Sequence, residues 1–83
     1  MSVRLHPHAV ERMAERGASE AEVAAAVEYG ERFAARFSRT GFRRNFAGPF
    51  RWRGRTFGAK QIEAIAVEDG PDWLVITVLV RYL

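Results

Sequence analysis

Gly30 divides the pattern of apolar and polar positions into a helical third and a strand-forming remainder. Before Gly30, apolar residues recur at three- and four-residue spacing, the period of a helix that buries one face. A first helix is expected to start at His6-Pro7, because proline suits the first helical position, and to stop at Gly17. Val10, Met13, Ala14 and Gly17 form its apolar face. A second helix opens on Ser19-Glu20-Ala21-Glu22, where the serine and the glutamate can satisfy each other's backbone N–H groups as a capping box. Its apolar face is Val23, Ala26 and Val27, and Gly30 ends it. Two short helices joined by a tight turn predict an αα-hairpin.

After Gly30 the period shortens to two, the alternation of a strand. Strands are expected over residues 31–37 and 42–46, around the polar turn Ser38-Arg39-Thr40-Gly41, and Gly48-Pro49 interrupts the second. Residues 50–57 alternate so that Arg51, Arg53 and Arg55 share one face, with Phe50, Trp52 and Thr56 on the other. A strand over residues 60–68 follows, and Asp69-Gly70-Pro71-Asp72 reads as a turn. The final strand, residues 73–82, is apolar on both faces and belongs in the centre of a sheet. The expected architecture is one α+β domain over residues 1–83. Its two N-terminal helices pack on a mainly antiparallel sheet of four or five strands.

Charge changes this picture more than composition does. The net charge is only +3. Residues 32–60, however, hold Arg32, Arg36, Arg39, Arg43, Arg44, Arg51, Arg53, Arg55 and Lys60 without a single Asp or Glu, while all ten acids lie outside. Segregation of this kind predicts an electropositive face. Arginine suits bidentate contact with phosphate, so RNA or another polyanion is the expected partner, with an acidic protein as the alternative. There is no cysteine, which excludes disulfides and thiolate metal sites. His6 and His8 would need carboxylates such as Glu11 to complete a metal site, and side chains two apart at a helix start diverge. No metal and no cofactor are therefore expected. The N-terminus lacks the apolar core of a secretory signal, and the longest apolar run, residues 73–80, is too short to span a bilayer. A cytoplasmic protein that does not enter the membrane is the expectation.

Three groups of residues can carry chemistry. His8, Arg12 and Arg16 recur every fourth residue and so line one helix face. Such a row fits a phosphate, unless Glu11 and Glu15 simply pair with it. A histidine in the first helical turn, where the dipole favours a neutral ring, suits a general base. The stripe Arg51, Arg53 and Arg55, joined by Arg43 and Arg44, is the expected nucleic-acid surface, with Lys60 beside it as a catalytic cation. Thr77 can hydrogen-bond to a neighbouring strand, and Glu63 can pair with an arginine or act as a base. No glycine-rich phosphate loop, paired-carboxylate signature or nucleophile elbow is present. An enzyme built from His8, Arg12 and Lys60 would suit metal-free RNA cleavage through the 2′-hydroxyl.

Residues 8–17, Ser19 to Val23 and Glu28-Tyr29-Gly30-Glu31, with the later phrases over residues 60–68 and 74–78, resemble the bacterial domain-of-unknown-function family 4258. That family looks like a relative of the RelE/ParE-like toxin fold. The resemblance implies two helices on a small sheet, a ribonuclease-type toxin activity and an acidic antitoxin as partner. His8 and Arg12 match the family's helix phrase, and Lys60 and Thr77 match its strand phrases. ParE-like relatives act on gyrase, so the resemblance also allows a protein-binding role.

Overall fold

The computed structural model describes residues 2–83. A short strand β1 (Val3–Leu5) leads into helices α1 (Pro7–Arg16) and α2 (Glu20–Tyr29). Strands β2 (Glu31–Ala34), β3 (Thr40–Trp52), β4 (Arg55–Asp69) and β5 (Asp72–Tyr82) follow. The five strands form one sheet in the order β1-β5-β4-β3-β2. All neighbours are antiparallel except β1, which runs parallel to β5 with Leu5 opposite Val75.

Both helices begin and end where capping chemistry places them. The His6 Nδ1 accepts from the His8 N–H at 3.0 Å and caps α1 ahead of Pro7. Gly17 closes the helix in the left-handed region at φ 78°. A side chain there would collide with the Tyr82 hydroxyl and the Trp52 ring, so the position needs glycine for space as well as for backbone. The capping box of α2 is complete: Ser19 Oγ accepts from the Glu22 N–H at 3.1 Å, and the Glu22 carboxylate accepts from the Ser19 N–H at 2.9 Å.

One face of the sheet meets the helices. Ala9 and Met13 of α1, with Val23, Ala26 and Val27 of α2, pack on Phe42, Ile62, Ala64, Ala66, Trp73, Val75 and Val78. Phe42 and Trp73 meet edge to face at 5.0 Å. The expected apolar face of α2 is the one buried. On α1 the buried residues are Ala9 and Met13, while Val10 is 49% exposed, so the helix is rotated from the expected orientation.

Four expectations are corrected. The sheet is mixed rather than mainly antiparallel, because Val3–Leu5 forms a parallel edge strand before the helices. A three-residue strand carries too little periodicity to be read from sequence. The helices do not make a hairpin packed on itself. The contacts of α1 are chiefly with β5, and those of α2 with β3 and β4, because the buried residues of both helices face the apolar side of the sheet. The segments 42–46, 50–57 and 60–68 are not three strands but two long ones, which turn at Arg53-Gly54, where both residues have positive φ (50° and 78°). That geometry is a two-residue hairpin turn. Finally, β4 and not β5 occupies the centre of the sheet; beyond Val75 the outer side of β5 has no strand partner. The Arg16 guanidinium covers part of that edge by donating to the Val78 carbonyl at 2.6 Å. Among the described residues no helix is long and apolar enough to cross a membrane.

Candidate active site

The sheet end where α1 begins holds an open cleft of about 460 Å³, lined by His6, His8, Arg39, Ile76 and Thr77. Three pieces of local structure build it. The N-cap turn of α1 is tied to β5 by a hydrogen bond from the His6 N–H to the Val75 carbonyl at 2.9 Å, which brings both histidines to the sheet edge. A bulge in the β4–β5 pairing sets Ile65 opposite Thr77 and Ala66 opposite Val75, so Ile76 has no partner and the strand is locally re-aimed. The hairpin between β2 and β3, turning through Phe37 and Ser38 at φ 61° and 59°, delivers Arg39.

The polar groups of the cleft are available. The His6 Nδ1 is occupied by the His8 N–H, so the neutral His6 ring carries its proton on Nε2. Among the described residues the His8 ring and the Thr77 hydroxyl have no hydrogen-bond partner, and Arg39 has no carboxylate. The Arg39 guanidinium rests over the Phe37 ring at 5.5 Å. No carboxylate lines the cleft. An imidazole, a guanidinium and a hydroxyl around an open space suit an anion, and phosphate above all.

The structure separates the other candidates. Arg12 pairs with Glu15 at 2.8 Å and Arg16 binds the Val78 carbonyl, so the row on α1 does not converge with His8 on one ligand. Arg43 lies between Glu63 (2.9 Å) and Glu31 (3.2 Å), its charge matched by both. Arg44 stacks on Tyr29 and Phe46, on the helix side of the sheet. Arg51 and Arg55 stand opposite Thr56 and Trp52, neighbouring positions that point to opposite faces, and Arg53 sits in the turn between them. The expected single-faced arginine stripe is therefore corrected to a cluster around a hairpin tip.

Lys60 is corrected most strongly, because only 6% of it is exposed. Its ammonium donates to the Gly17 carbonyl at 2.9 Å, pairs with Glu22 at 2.7 Å and lies 4.5 Å from the Phe50 ring centre. Burial pushes the Glu22 carboxyl up, but the Lys60 ammonium and the Ser19 N–H outweigh it and hold the group below its ordinary value. Lys60 thus ties the junction of α1 and α2 to β4 and presents no charge to a substrate. Arg39 and His6 were not singled out from sequence as phosphate ligands. His8, expected as a general base in the first helical turn, does line the cleft, and Thr77, a hydroxyl inside an apolar run, offered a second local signal.

Among the described residues no three His, Cys, Asp or Glu side chains gather as a metal site. Fold and cleft define a small α+β domain with a histidine–arginine site at one end of a mixed five-stranded sheet. The chain belongs to the family described as Domain of unknown function (DUF4258), whose model matches residues 5–80. Neither a curated protein nor a solved structure matches the chain.

Proposed function

We propose that this domain cleaves RNA in the His8 cleft without a metal, using the ribose 2′-hydroxyl as nucleophile. The observation that carries the reading is the cleft lining, where His8, Arg39 and Thr77 meet with no carboxylate among them. His8 takes the proton from the 2′-hydroxyl. The 2′-oxygen then forms a bond to phosphorus while the bond to the 5′-oxygen breaks, and water at the open mouth protonates the leaving oxygen. Arg39, the cation of the cleft, balances the charge that grows on the pentacoordinate phosphate. The Thr77 hydroxyl and the His6 Nε2–H donate to the non-bridging oxygens. The products are a 2′,3′-cyclic phosphate and a 5′-hydroxyl.

A relation of the family to RelE/ParE-like toxins belongs to the same proposal, and with it a cytoplasmic site of action and control by an acidic antitoxin. Incubation of the protein with end-labelled RNA, and with a 2′-deoxy strand of the same sequence, in excess chelator tests the reading. Cutting of the RNA alone, with cyclic phosphate ends, is expected. Cutting of both strands would remove the 2′-hydroxyl mechanism. Binding without cutting would leave a non-enzymatic module that holds nucleic acid.

A further inference from the structure

The arginines at the β3–β4 turn take no part in the cleft. Strands β3 and β4 run on beyond β5 as a two-stranded ribbon: Tyr82 pairs with Lys60, whereas Trp52 pairs with Arg55 much farther along. The ribbon carries Arg51, Arg53 and Arg55 around its tip, and among the described residues no carboxylate pairs with any of the three. A cluster of three unmatched cations around one turn is an unusual way to build a merely soluble surface, which mixes both signs.

The ribbon is anchored. Trp52 stacks on Tyr82 at 5.3 Å, Phe57 packs on the same ring at 5.2 Å, and the Tyr82 hydroxyl donates to the Arg16 carbonyl at 2.9 Å. The Arg53 and Arg55 guanidiniums each rest 5.4 Å from a ring centre, over Trp52 and Phe57 respectively. The rings are therefore engaged with one another and with the guanidiniums, and the tip offers cations to the outside rather than a platform for stacking bases. That chemistry recognises a phosphate backbone and not a base sequence. Ile65, opposite Thr77 of the cleft, and Arg55 at the ribbon tip are ten residues apart on β4, which separates the two places by about 33 Å along the strand. At about 3.4 Å of rise per stacked nucleotide, they are about ten nucleotides apart on one strand.

We infer that the ribbon tip is a second phosphate-binding site, which grips the RNA strand that occupies the cleft about ten nucleotides from the cut. The inference rests on the cleft being an RNA site, and it names the substrate class as strands long enough to reach both places, without preference for sequence at the ribbon.

The experiment compares wild type with the triple variant Arg51→Gln/Arg53→Gln/Arg55→Gln on two probes, a dinucleoside monophosphate and an RNA of about 15 nucleotides. Thermal denaturation of both proteins verifies that the exposed substitutions leave the fold intact. For the long RNA, the variant is expected to lose about tenfold or more in affinity at about 0.1 M salt. The slope of log affinity against log salt should shrink by about 2, the value for three lost contacts with a single strand. Cleavage of the dinucleotide should stay within about twofold. An equal loss on the dinucleotide would overturn the inference by making the ribbon part of the cleft, and an unchanged long-RNA affinity would overturn it by removing the contact. Failure of the cleft reading looks different: wild type would cut neither probe, whatever the ribbon did to binding.

Discussion

Lys60→Met is expected to lower stability by about 3–5 kcal/mol, the cost of leaving one member of a buried ion pair without its partner. A chain of this length has on the order of 4–12 kcal/mol in total, so the variant should melt about 15–30 °C below wild type. The size follows from what methionine abandons. Glu22 stays largely buried without its cation, and the Gly17 carbonyl at the end of α1 loses its donor. The double variant Lys60→Met/Glu22→Gln should recover most of the loss, because an amide oxygen can still accept from the Ser19 N–H and carries no charge. The same pair sets a pH dependence. The folded carboxyl is depressed, so its contribution is fully present above the unfolded glutamate pKa of about 4.3 and is lost as the pH falls through the lower folded value. Wild type should therefore soften below about pH 5 more steeply than the double variant. Melting followed by circular dichroism across that range checks both points. A loss under about 1 kcal/mol for Lys60→Met would mean that water already serves the pair.

His8→Ala should slow RNA cleavage by about 10²- to 10⁴-fold, the span of a positioned acid or base, while RNA binding changes little. Arg12→Ala should change the rate by less than about threefold, because Arg12 is held by Glu15 and does not line the cleft. The contrast separates this structure from the sequence pattern, in which both residues belong to one row. Single-turnover rates with saturating protein check it. Equal losses in the two variants would show that the helix face, and not the cleft, holds the substrate.

Much of the helical part was legible in the sequence, because helix ends are decided locally. Pro7, Gly17, Ser19, Glu22 and Gly30 each do at their own position what their chemistry dictates. The last strand and the turn before it were legible for the same reason. The parallel strand β1 was not, since three residues gain their partner only when residues about 70 positions away arrive. The hairpin at Arg53-Gly54 was hidden because an arginine at positive φ is uncommon and the flanking residues go on alternating through the turn. Lys60 shows the limit most clearly. In sequence it closes a basic run; in the fold it sits at an inward position of β4, and Glu22 meets it there. Reading charge along the chain cannot tell a cation that faces water from one that faces a carboxylate brought in by another element. The cleft depended on a bulge, an N-cap turn and a hairpin from three separate places, none of which announces the others.

The measurement that bears most directly on the cleft as the phosphodiester site is an NMR titration of the protein with a 2′-deoxy dinucleoside monophosphate, which can bind there but cannot be cut. The expected result is saturable shifts confined to His6, His8, Arg39, Ile76 and Thr77, with Arg51, Arg53 and Arg55 unmoved. Shifts centred on the ribbon, or none at concentrations that saturate a longer RNA, would contradict the assignment of the cleft.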